Sequence, residues 1–116
     1  MEEDARRRVL GLLGLGVRGR LVVVGVDQVR EVAHKGTLRV AVVAADASPN
    51  SRAKVDGLLA AKKVAVLEVP SANELGAVAG RESTAVIGVV DAQMAKGILA
   101  AAGPADAVQQ GSRRKG

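Results

Sequence analysis

A chain of 116 residues, 48% hydrophobic and 25% charged, has the size and balance of one folded domain with a single core. It contains no Phe, Trp, Tyr or Cys, which excludes aromatic base-stacking platforms, disulfide scaffolds, thiolate metal sites and thiol nucleophiles. The net charge of +5 is uneven: residues 1–40 carry eight Lys or Arg against five Asp or Glu, residues 41–110 carry six against seven, and Arg113, Arg114 and Lys115 close the chain with no acid nearby.

Val9, Leu12, Leu13 and Val17 recur at helical spacing behind Arg6, Arg7 and Arg8, so residues 5–18 are expected to form an amphipathic helix. Gly11, Gly14 and Gly16 weaken that helix and point to close packing of another element. Residues 21–24 are a β-branched run stopped by Gly25, which reads as a strand. A helix over residues 27–35, with Val29 and Val32 inward, follows and ends at Gly36. The alternation then repeats. Residues 38–45 read as a strand, and Ser48 as the cap of a helix that has proline at its first position and runs to about Lys62. Residues 64–69 form the next strand, and the spacing of Ser71 and Glu74 is that of a capping box opening a short helix that ends at Gly80. Residues 85–90 are the last strand, and Asp91 caps a helix reaching about Ala102.

Strands apolar throughout and alternating with helices call for a sheet covered on both faces. The expected fold is α/β, a three-layer α/β/α sandwich around a central mixed sheet of about four strands. Residues 1–102 form its single domain, and residues 103–116 read as a flexible basic tail.

Gly14-Leu15-Gly16-Val17-Arg18-Gly19 spells the dinucleotide fingerprint, but here the glycines follow a helix and precede a strand, the reverse of the order that grips a pyrophosphate. Arg39 stands where an acid should hold the ribose, so no nucleotide cofactor is expected. Asp46, Ser48 and Asn50 follow a buried strand, a common place for catalytic groups, yet Ser48 is accounted for as a cap and the lone imidazole, His34, is distant in sequence. His34 fits a solvated cation near a helix end, and Glu74 a capping role. No catalytic set, metal site or small-molecule substrate is therefore expected. No apolar run approaches the ~20 residues needed to span a bilayer. The acidic start Met1-Glu2-Glu3-Asp4 is unlike a secretory signal, so a cytoplasmic protein without a membrane partner is expected.

Arg18-Gly19-Arg20 and Gly25-Val26-Asp27-Gln28-Val29-Arg30 join a basic loop, a strand, a glycine and a polar helix start. Free amides at such a start can meet phosphate or base oxygens, and Asp27 and Gln28 can hydrogen-bond base edges. Equally, Asp27 can be a plain N-cap and the arginines a solvated face. Both readings remain open on residue chemistry alone.

The order of elements, together with Gly25-Val26-Asp27-Gln28, residues 42–50 (Val-Val-Ala-Ala-Asp-Ala-Ser-Pro-Asn) and Asn73-Glu74-Leu75-Gly76 followed by Gly80, resembles the bacterial YlxQ-type proteins of the ribosomal L-seven-Ae/L-thirty-e kink-turn RNA-binding superfamily. The resemblance covers residues 5–102 and implies a sandwich that grips tandem sheared G·A pairs and a sharply bent RNA backbone. The family signature Gly-x-Asn-Glu-x-x-Lys falls on Gly25, Asp27, Gln28 and Glu31, the last a reversal of charge. A second family contact falls on the loop holding Arg81, Glu82 and Ser83, and Arg20 would face phosphates. The expected function is non-enzymatic recognition of structured RNA through Arg20, Gly25, Val26, Asp27, Gln28, Arg30, Glu31, Arg81 and Ser83. Ribosomal RNA is the candidate partner, and translation the setting. The alternative is a protein-interaction or ribosome-factor module of the same fold whose RNA affinity is weak or lost.

Overall fold

Each apolar run becomes a strand and each helical stripe a helix, in the expected order, but a fifth, two-residue strand at Val108–Gln109, inside the segment expected to be a tail, joins the four expected strands by pairing with the third. The computed structural model describes residues 1–103 and the backbone of Val108–Gln109. The elements are α1 (Glu3–Gly19), β1 (Val22–Val24), α2 (Val26–Lys35), β2 (Val40–Ala44), α3 (Pro49–Ala61), β3 (Ala65–Val69), α4 (Ala72–Val78), β4 (Val86–Val89), α5 (Ala92–Ala102) and β5 (Val108–Gln109). The remainder of the expected basic tail lies outside the described residues.

The sheet is mixed, in the order β1-β4-β2-β3-β5. β2 and β3 pair in parallel, whereas β4 runs antiparallel to both β1 and β2, and β5 antiparallel to β3. Every residue of β2 and of β4 is buried, as continuous apolar strands require when helices cover both faces. On one face Val9 and Leu13 of α1, Leu75 of α4 and Ile98 of α5 close over Val40, Val42 and Ile87. On the other, Val29 and Ala33 of α2 and Val55 and Leu59 of α3 close over Ala41, Val43 and Val86. The result is the three-layer sandwich, with a core built from aliphatic side chains alone.

Of the α1 glycines, Gly16 is the one placed for close packing: a Cβ there would stand 2.5 Å from Met94 Sδ and 2.8 Å from a Val22 methyl. Gly14, Gly16 and Gly19 all lie within α1, so the fingerprint spacing has no phosphate-binding turn behind it. Among the described residues no helix is long and apolar enough to cross a membrane.

Candidate nucleic-acid interface

Gly25 ends β1 and caps α2 with φ 98° and ψ 162°, a conformation essentially confined to glycine. Its N–H donates to the Val86 carbonyl at 2.9 Å, so α2 starts beside the head of β4. The first bond of the helix runs from the Val29 N–H to the Gly25 carbonyl, 3.0 Å. The amides of Val26, Asp27 and Gln28 precede it, and no side chain caps them. Asp27 is thus not the N-cap, which corrects one of the two sequence readings. It is the second residue of the helix, exposed, where a carboxylate is favourable near the positive helix end.

The other helix starts after β1 are closed. Ser48 Oγ accepts from the Ser51 N–H at 3.1 Å, and Asp91 from the Met94 N–H at 2.8 Å. At α4, Ser71 Oγ accepts from Asn73 and Glu74 at 3.1 and 3.2 Å, and Asp46 Oδ1 from the Ala72 N–H at 2.8 Å. Asp46 and Ser48 are therefore occupied as caps, and the catalytic alternative for that loop has no imidazole within it. Glu74 supplies only half of a capping box. Its amide meets Ser71, but its carboxylate reaches Arg6 Nη1 at 2.6 Å and ties α4 to α1.

The loop after α4 forms the second wall. Gly76 has no room for a side chain: a Cβ would stand 2.4 Å from Ser83 Cα, so the loop lies directly against the helix. The Arg81 N–H donates to the Gly76 carbonyl at 2.9 Å, and Thr84, buried, donates its N–H to the Ala72 carbonyl at 3.0 Å. Thus held, the loop carries Arg81 to Gly25, with Nη1 3.9 Å from where a Gly25 Cβ would be. Arg81 is exposed and has no ion-pair partner among the described residues. Ser83 is exposed on the same loop.

Arg81 and the α2 start share an open depression of about 460 Å³ lined by Val24–Gln28, Ser51, Lys54 and Arg81, and Ser83 lies outside that lining. Ser51 and Lys54 were not singled out from the sequence. They arrive because α3 packs beside α2, and no local pattern announces that. The Arg30 guanidinium donates to the Lys54 carbonyl, which makes it a brace between the two helices and not a free cation. Glu31 lies a turn further along α2, outside the depression, and pairs with Lys35 at 3.1 Å. Arg20 stands before β1 and Gly25 after it, roughly 16 Å apart at about 3.3 Å per residue, so the structure does not bring them together. His34 is in the last turn of α2, away from the depression. Arg52 is also withdrawn, bound to Asp56 and Glu68 at 3.2 Å each. Partial burial opposes its charge, but hydrogen bonds and attraction from those carboxylates outweigh it and raise its pKa.

The α2 start with its three uncapped amides, Arg81 and Lys54 line one opening, an arrangement suited to acceptor oxygens. Asp27 adds a carboxylate acceptor and Gln28 an amide that both donates and accepts. Among the described residues no cluster of His, Asp or Glu is fit to hold a metal ion.

A protein of unknown function from Bacillus halodurans C has a similar structure, with a TM-score of 0.75 and 27% identity over 82% of this chain and 96% of that one. The Giardia lamblia 15.5kD RNA binding protein shares the fold at a TM-score of 0.76 and 19% identity, over 89% of this chain and 88% of that one. No curated protein matches the sequence. The model of the ribosomal protein L7Ae/L30e/S12e/Gadd45 family matches residues 8–99, most of the length of this protein, and the chain belongs to that family.

Proposed function

We propose that this chain is a non-enzymatic RNA-binding protein that recognises structured, kink-turn-like RNA through the start of α2 and the loop at Arg81 to Ser83. Family membership supports RNA binding in general, as does the fold shared with a protein named as RNA-binding. The observation that carries the specific reading is the uncapped start of α2, opened by Gly25 and flanked by Arg81 and Lys54. In this reading Arg81 and Lys54 meet phosphates, while the amides of Val26 to Gln28 and the side chains of Asp27 and Gln28 read the edges of guanines in tandem G·A pairs. Lack of aromatic residues is compatible with such a target, because a bent duplex is read by shape, backbone and groove edge without stacking. The YlxQ-type subfamily, ribosomal RNA as partner, and a cytoplasmic role in translation complete the proposal.

The test is a pair of titrations with one RNA carrying tandem G·A pairs and the same RNA with those pairs replaced by Watson–Crick pairs. The proposal expects the first to bind at least tenfold more tightly. Equal affinity contradicts it and favours the second reading, a protein-interaction module. Glu31 is the residue that favours that alternative, since it puts a carboxylate where the resembling family has an ammonium group.

A further inference from the structure

The end of the sheet opposite Gly25 gathers a second set of cations. Val22, Val89, Val40, Ala65 and Gln109 pair in one row across the five strands. Arg20 precedes that row by two residues, Arg39 by one and Lys63 by two. Neighbouring strands stand about 4.8 Å apart, so these three cations follow a line of roughly 14 Å off one end of the sheet. α1, α2 and α3 all finish at this pole and add Arg18, Lys35 and Lys62. All six side chains are exposed.

Among the described residues two acids stand at this pole: Glu31 pairs with Lys35, and Asp91, two residues past the row on β4, accepts from the Met94 amide and keeps its charge, against five cations that no acid pairs. Arg18, Arg20, Arg39, Lys62 and Lys63 have no ion-pair partner among the described residues. Helix dipoles explain cations in the last turns of α1 and α2 without any ligand. They do not explain Arg39, which opens a strand. Arg20 caps the C-terminus of α1 and Lys63 follows the C-cap of α3, where a dipole favours charge, but both hold positive φ, 61° and 57°, and are the only non-glycine residues to do so among those described. Glycine fills such positions with least strain; here long cationic side chains stand instead.

The shape of the charge selects the partner. The one exposed large hydrophobic residue among those described is Leu15, one turn before the end of α1, a single side chain and not an apolar patch. A protein partner would call for a buried apolar centre, whereas a phosphate backbone is met by spaced cations alone. We propose that this pole is a second nucleic-acid surface, which binds the phosphate backbone of a plain RNA duplex through Arg20, Arg39 and Lys63. The inference rests on this pole's own charges and not on the reading of the α2 start. The two surfaces lie at opposite ends of the strands, so a chain using both joins two RNA segments.

The test uses the full chain and a 20-base-pair RNA duplex without bulges or G·A pairs, titrated between about 50 and 200 mM salt. The variant combines Arg20→Gly, Arg39→Gln and Lys63→Gly. Both glycines relax positive-φ positions, so its melting temperature should not fall below that of the parent. The expected result is at least roughly tenfold weaker duplex binding at low salt, and a slope of log affinity against log salt shallower by about two to three. Its preference for the RNA carrying G·A pairs over the matched RNA without them should stay at the parent value. Unchanged duplex affinity and slope in the folded variant overturn the proposal, as does absence of duplex binding by the parent chain. In a parallel titration of parent and variant with polyglutamate, a loss confined to that polymer, with duplex binding intact, also overturns it and assigns the pole to an acidic protein segment.

Discussion

Gly25 and Gly76 are both required, for different physical reasons. Gly25 is required by its backbone, because φ 98° with ψ 162° is a region that a side chain strains by about 1–3 kcal/mol. Gly25→Ala should therefore lower the unfolding free energy in urea by that amount and, by re-aiming the first turn of α2, weaken RNA binding further than stability alone accounts for. Gly76 is required by space, since a Cβ would overlap the Ser83 backbone. Backbone cannot rotate away as a side chain can, so Gly76→Ala should displace the loop that carries Arg81. A loss of about 2 kcal/mol or more in stability, with reduced RNA affinity, is the expected outcome although Gly76 itself is buried and lies outside the depression. Glu31 is the contrary case, a residue whose replacement should improve binding. Its ion pair with Lys35 is exposed and contributes only a few tenths of a kcal/mol. Glu31→Lys should tighten binding to RNA with tandem G·A pairs by roughly 1–2 kcal/mol at low salt and steepen the salt dependence by about one phosphate contact. Unchanged affinity and slope in this variant would mean that the RNA does not reach the second turn of α2.

Among the elements, the contrast between α2 and α4 separates structure from function. The start of α4 is closed by Asp46 and Ser71, which join the loop after β2 to the helix that supports the Arg81 loop. Asp46→Ala leaves the Ala72 amide without that partner and should cost about 1 kcal/mol of stability by thermal or urea unfolding, with no change in the preference for RNA containing G·A pairs. The elements themselves were legible in the sequence because their signals are local: β-branched runs, Ser48 before Pro49, Ser71 as a cap, glycine at position 36. What was not legible is what the elements do to one another. Gly76 against Ser83, Glu74 reaching Arg6 and Arg30 bracing Lys54 join residues far apart in the chain, and no periodicity encodes them. The candidate site was accordingly half visible. Gly25 to Gln28 stand out as a run, whereas Ser51 and Lys54 join them only through packing.

At the scale of the whole molecule, the sandwich sorts its charge to its ends. The two helical layers and the aliphatic core are closed, and what remains open is the α2 start at one end of the strands and the row of cations at the other. Arg20 shows why this arrangement escaped the sequence: it is five residues from Gly25 and reads as part of the same basic stretch, but a strand lies between them and carries the two to opposite poles. Contact between RNA and the first-turn amides of α2 is tested by backbone amide NMR of the full chain, titrated with RNA carrying tandem G·A pairs. The largest shifts are predicted at Val26, Asp27 and Gln28, with further shifts at Lys54, Arg81 and Ser83, and they should shrink when the G·A pairs are replaced. Saturable binding of that RNA with the Val26 to Gln28 amides unmoved would place the RNA elsewhere on the protein.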